Sequence, residues 1–154
     1  MRAFLSPRMV LDCHAMEGRR KIVFYDGDCL LCAAVVRWCH RWDRGGKLWF
    51  ASLGSDFARE RREDLDLPGP GEEAETFALF DEETGQVAFR SRAALALASH
   101  LGGPWALLGK VAAFVPPALR DKLYDQVARN RRRWWGARED CSLPPGSLRE
   151  RILP

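Results

Sequence analysis

The chain has 154 residues, of which 47% are hydrophobic and 29% charged, and its formal net charge is +3. This is the composition of one ordinary globular domain, long enough to bury a sizeable core. The charge is too mild to argue for a nucleic-acid or membrane partner, and no apolar run is long enough to cross a bilayer as a helix. Five cysteines are an odd number, which argues against a fully paired secreted framework. A reducing, cytoplasmic setting is therefore expected, and there a close cysteine pair serves catalysis or metal binding more often than structure.

Residues 1–20 read as an irregular leader. The segment holds Cys13-His14, is broken by Pro7, Arg8, Asp12 and Glu17, and offers Met9 and Met16 as alternative starts. Ile22-Val23-Phe24-Tyr25 then reads as a buried strand, and Asp26-Gly27 as a turn. Leu30 to Asp43 reads as a helix capped by Asp28, with Leu31, Val35, Trp38 and Trp42 expected to face the core and Gly45-Gly46 to end it. Cys39, within it, reads as a small buried hydrophobe.

Leu48 to Ala51 is a second strand, and Ser52 to Glu63 is helix-compatible with Phe57 and Ala58 inward. A loop follows at Leu67-Pro68-Gly69-Pro70-Gly71. Thr76 to Phe80 and Gln86 to Phe89 form a hairpin across the turn from Asp81 to Gly85. Ser91 is positioned to cap a helix that runs through His100 and stops at Gly102-Gly103. Pro104 can open another helix, running to Val111 or Phe114. Pro116-Pro117 breaks it, and Ala118 to Asn130 forms the next, with Leu119, Leu123 and Val127 as its apolar stripe. The order from Lys21 to His100 is thus β-α-β-α-β-β-α. It resembles a thioredoxin-like domain: an α/β fold with a mixed four-stranded sheet flanked by helices, here with extra C-terminal helices over about 104–154.

The chemistry is concentrated after the first strand. Cys29 and Cys32 lie one turn apart at the start of the first helix. The nucleophile in thiol–disulfide exchange is the thiolate, and the positive end of a helix dipole stabilises it. A second thiol three residues on can attack the mixed disulfide and release the product. The spacing points to Cys29 as attacker and Cys32 as resolver. Asp26 and Asp28 are negative neighbours that raise a thiol's pKa unless they are balanced. Asp26 can alternatively serve as a buried base for the Cys32 proton. One arginine of the downstream cluster, with Arg131 the candidate, can balance these carboxylates or support the thiolate. Cys141 is a candidate third thiol.

Asp26-x-x-Cys29-x-x-Cys32 also matches the DxxCxxC signature of the DCC family, predicted thiol–disulfide oxidoreductases of thioredoxin-like fold. The likeness extends to Phe50-Ala51-Ser52-Leu53, Arg90-Ser91-Arg92-Ala93-Ala94 and Leu101-Gly102-Gly103-Pro104-Trp105. It continues through Leu123-Tyr124, the run from Val127 to Arg131, Trp135-Gly136 and Cys141, so it covers about Lys21 to Leu153. The resemblance implies a redox-active Cys29/Cys32 pair with Asp26 as the third motif residue, in a domain spanning 21–154. The implied reaction needs no organic cofactor or metal. Its partners are a disulfide-bearing protein or small molecule and a cellular thiol reductant, with neither nucleic acid nor membrane involved. Two features depart from typical thioredoxins. Glu75 and Thr76 stand where a cis-proline precedes the third strand, and Leu30-Leu31 separates the cysteines.

Two other readings use the same residues. A strand ending in Asp26-Gly27-Asp28 also resembles the first motif of haloacid-dehalogenase-type phosphohydrolases, with Asp26 as nucleophile, Asp28 as acid/base and magnesium between them. A zinc-binding structural module would join Cys29 and Cys32 to Cys39-His40 or Cys13-His14. Arg129, Arg131, Arg132, Arg133 and Arg138 around Trp134 and Trp135 read as a solvated face whose tryptophans pack on the domain. His40 and His100 read as capping or surface groups.

Overall fold

The computed structural model describes residues 20–70, 77–136 and 146–154. Five strands form one mixed sheet: β1 (Lys21–Tyr25), β2 (Leu48–Ser52), β3 (Phe77–Asp81), β4 (Gln86–Phe89) and β5 (Ile152–Leu153), in the order β4-β3-β1-β2-β5. The helices are α1 (Leu30–Trp42), α2 (Asp56–Arg61), α3 (Arg90–Leu101), α4 (Gly103–Ala113), α5 (Pro117–Trp135) and α6 (Gly146–Arg149). This is the thioredoxin-like arrangement expected from the element order. β1 runs parallel to β2 across the α1 crossover and antiparallel to β3, which pairs with β4 as a hairpin.

β1 is central and buried on both faces, which is why it reads as a continuous apolar run rather than an alternating one. Its residues still divide by the pleat. Val23 and Tyr25 join Leu48, Phe50, Leu79, Val36 and Leu97 beneath α1 and α3. Ile22 and Phe24 join Ala51, Leu53, Ala58 and Ala78 on the α2 side. Burying each large β1 side chain contributes on the order of 1.5–3 kcal/mol.

Several details differ from the sequence reading, each for a tertiary reason. The sheet gains β5, because the last residues of the chain pair in parallel with β2. The most buried face of α1 carries Cys32, Ala33, Val36 and Cys39, while Leu31, Val35, Trp38 and Trp42 are partly buried against its rim. α1 lies between the sheet and other helices, so its apolar surface is wider than one stripe. Trp105 of α4 meets Trp38 and Trp42 edge-on, at ring centroid distances of 4.5 and 5.5 Å. Ser91 is not the cap of α3: that position is Phe89, and the Ser91 hydroxyl donates to the Asp121 carboxylate of α5. α5 runs five residues past the expected end at Asn130, because Arg131 and Arg132 find tertiary partners and Gly136, at φ +86°, supplies the left-handed stop. Its Leu119, Leu123 and Val127 are exposed, not buried.

Asp43, just past α1, ties distant parts together. Its carboxylate accepts the Leu48 peptide N–H at 2.8 Å and Arg151 Nη1 at 3.1 Å, and lies 3.2 Å from His100 Nε2. His100 thus serves this buried carboxylate, and His40 Nε2 lies 3.2 Å from the Ser147 hydroxyl. Residues 1–19 of the leader, with Cys13-His14, and Glu75, Thr76, Arg138 and Cys141 lie outside the described residues. Among the described residues, no helix is long and apolar enough to cross a membrane.

Candidate active site

The site forms where β1 ends and α1 begins. Asp26 follows the last β1 residue, and its Oδ1 accepts the peptide N–H of Asp28 at 3.1 Å, closing a side-chain turn. Gly27 passes so close to β2 that a β-carbon there would stand 2.7 Å from Ser52 Oγ. The helix starts at Leu30 as expected, but its capping residue lies one position beyond the expected one. Cys29, not Asp28, is the N-cap of α1, and its Sγ accepts the Cys32 peptide N–H at 3.4 Å. Asp28 is left exposed.

The other oxygen of Asp26 receives two arginines from the far end of α5. Arg131 Nη2 lies 2.8 Å and Arg132 Nη2 2.9 Å from Oδ2. The Asp26 and Arg131 side chains are each only 4% exposed, so this is a buried ion pair. Arg131 also donates to the Ala128 carbonyl at 3.1 Å, which fixes its guanidinium within the helix end. Burial by itself would favour the neutral Asp26 acid. The Arg132 hydrogen bond, the Asp28 N–H and Arg131 outweigh it and hold the carboxyl below its usual range. The negative charge that threatens the thiolate is thereby balanced within the fold.

The two sulfurs are driven in opposite directions. A hydrogen bond from the Cys32 thiol acts first on Cys29. With the Cys32 peptide N–H and the charge of Arg131, it overcomes burial and lowers the Cys29 pKa to about 6. Cys32 is pushed up by that same hydrogen bond and then by burial. The pair thus holds one thiolate beside one thiol, and both cysteines are free. Cys29 is 0% exposed and Cys32 is 8% exposed. Cys32 lies on the wall of a cavity of about 330 Å³ that runs between α1, α3, α4 and α5 and also touches Arg131.

The structure thus brings together Asp26, Cys29, Cys32 and Arg131, and adds Arg132, which the sequence reading did not single out. The signal was the basic cluster itself; which of its members reach Asp26 depends on the phase of α5. The cluster is not a uniformly solvated face, since Arg131 is buried, while Trp134 and Trp135 pack edge-on against each other and stay exposed. Cys39 is buried apart from the pair, its thiol pushed up to about 12 by burial and by the charge of Asp43. The phosphohydrolase reading requires Asp26 as a free nucleophile, but both its oxygens are engaged by arginine and backbone donors. Among the described residues, no three His, Cys, Asp or Glu side chains are grouped to hold a metal ion.

Comparison with known proteins places the chain in a family. A family model described as DCC1-like thiol-disulfide oxidoreductase matches residues 23–137. The chain is 34% identical over 134 residues to the uncharacterized protein YuxK of Bacillus subtilis (strain 168), covering 87% of this chain and 94% of that protein. It is 27% identical over 127 residues to a chloroplastic DCC family protein of Arabidopsis thaliana, covering 82% of this chain and 72% of that one. No solved structure matches the chain.

Proposed function

We propose that this chain, which belongs to the DCC1-like thiol-disulfide oxidoreductase family, cycles Cys29 and Cys32 between a dithiol and a disulfide. The observation that carries the reading is the Cys29 sulfur at the N-cap of α1, accepting from Cys32 and ionising near pH 6. Such a sulfur is substantially thiolate at neutral pH, whereas an ordinary cysteine ionises at roughly 8.5.

In the reductive direction, the Cys29 thiolate attacks one sulfur of a substrate disulfide. A mixed disulfide forms and the first substrate thiolate leaves, taking a proton from solvent. Cys32 then loses its proton and attacks the Cys29 sulfur, closing the protein disulfide and expelling the second thiolate. Two electrons pass from the protein dithiol to the substrate, and a cellular thiol reductant restores the pair. Asp26 is a positioning residue that orders the turn through Asp28 and holds Arg131 near the thiolate. Because Cys29 has no exposed surface, exchange requires local opening at the start of α1. The cycle uses only the protein's own sulfurs and suits a reducing compartment such as the cytoplasm.

The test is turnover of insulin or glutathione disulfide by wild type, Cys29→Ser and Cys32→Ser. Both substitutions are expected to abolish turnover, and Cys32→Ser to accumulate a mixed disulfide at Cys29. Turnover at the wild-type rate by either variant, or no turnover of either disulfide by wild type, rules the reading out.

A further inference from the structure

We infer that the cavity beside Cys32 is the substrate pocket, and that it selects small disulfides bearing an apolar substituent about one aromatic ring in size. The inference rests on the exchange reaction proposed above and names its substrate class. Four observations support it.

The cavity reaches the redox pair through Cys32, which is part of its wall, while Cys29, one turn away and fully buried, is reached only by the local opening at the start of α1. A substituent lodged there sits next to the thiol that resolves the mixed disulfide. Secondly, the size is right. About 330 Å³ is roughly twice the ~150 Å³ that accommodates benzene, which leaves room for one aromatic ring together with the atoms that link it to sulfur, and it falls at the small end of ligand pockets.

Thirdly, the lining is chemically one-sided. Trp38, Phe77, Trp105 and Leu97 form much of it, and its one charged residue, Arg131, is already bonded to Asp26 and the Ala128 carbonyl. A peptide thiol carrying two carboxylates and an ammonium would have to desolvate those charges against hydrocarbon, which costs several kcal/mol. An aromatic or aliphatic substituent gains from the same walls.

Fourthly, the cavity has an apolar approach. Leu108 and Val127 are lining residues that are 58% and 40% exposed, so the walls continue to the surface without a polar collar at these positions. In the reaction, the Cys29 thiolate breaks the substrate S–S bond and expels one apolar thiolate to solvent. The other half stays joined to Cys29 with its substituent in the cavity. Attack by Cys32 then releases it as the second thiol, and the two electrons come from the protein dithiol.

The test has two readouts. In single-turnover oxidation of the reduced protein, dibenzyl disulfide is expected to react at least tenfold faster than glutathione disulfide. Ala94→Trp, at an exposed α3 position on the cavity, should remove most of that preference. Phe114→Ser, at the exposed turn beyond the cavity, should leave both rates unchanged. Separately, benzyl methyl sulfide, a thioether that cannot exchange, should bind the Cys29→Ser/Cys32→Ser protein saturably, read by tryptophan fluorescence, and Ala94→Trp should abolish that binding. Equal rates for the two disulfides, or indifference to Ala94→Trp, overturn the inference. Turnover of glutathione disulfide without thioether binding overturns the pocket and leaves the exchange reaction standing. Thioether binding with no turnover of any disulfide overturns the exchange reaction and the substrate assignment with it.

Discussion

At the scale of single residues, the site is a problem in placing charge. A carboxylate beside a thiolate opposes ionisation, yet Asp26 stands three residues before Cys29. The fold resolves the conflict by pairing Asp26 with two arginines, so that Arg131 acts on the carboxylate and the sulfur together. Arg131→Ala is expected to move the pH midpoint of Cys29 alkylation upward, by no more than about 1 pH unit, since Arg131 ranks behind the Cys32 hydrogen bond. Arg132 remains on Asp26, so the variant should still fold. The measurement is the rate of iodoacetamide modification against pH in a background in which Cys13, Cys32, Cys39 and Cys141 are all serine, so that Cys29 is the one thiol read, with and without Arg131. Because the Cys32 thiol lowers the Cys29 pKa, this background starts higher than wild type, and only the difference between the pair is read. An unmoved midpoint would show that Arg131 serves Asp26 alone.

At the scale of elements, the last residues of the chain complete the domain rather than decorate it. α6 inserts Leu148, 2% exposed, into the core shared by α1 and β2, and β5 adds a parallel rung to β2. Arg151, between them, reaches Asp43, which also holds Leu48 and His100. Leu148→Ala leaves a cavity under this arrangement and is expected to cost about 2–5 kcal/mol, lowering the urea midpoint with little change in slope. A loss below 0.5 kcal/mol would mean that α6 and β5 are not docked in solution. α5 makes the opposite point. Its hydrophobic period predicts a buried stripe, but Leu119 and Leu123 remain exposed, and what anchors the helix is polar: Asp121 to Ser91, and Arg131 and Arg132 to Asp26.

At the scale of the whole molecule, ionisation of Cys29 couples the redox state to stability. Its folded pKa, about 6, lies below the unfolded value of roughly 8.5. A depressed pKa contributes stability that is fully present above the unfolded value and is lost as pH falls through the folded one. Only the reduced protein has this titration, because the disulfide carries no thiol proton. The melting temperature of the reduced form should therefore rise relative to the oxidised form between pH 6 and pH 8.5. Each kcal/mol of linkage corresponds to about 2–4 °C for a chain of this size. Calorimetry of the two forms across that range provides the check, and a difference that does not vary with pH would sink the coupling.

The sequence alone determined β1, the Asp26-Gly27 turn, the α1 start with its two cysteines, and the β-α-β-α-β-β-α order. These features are written in local period and turn chemistry, which act over a few residues and read the same in any context. Tertiary structure decided what depends on helix phase and on contacts between distant residues. Asp26 and Arg131 stand 105 positions apart, and no local pattern selects Arg131 and Arg132 from a run of arginines. The same holds for the capping of α1 by Cys29, which follows from a side-chain turn at Asp26, and for β5, whose two residues are too few to show a period. The cavity beside Cys32 belongs to no segment: it is the space left where four helices meet, and it exists only once they have packed.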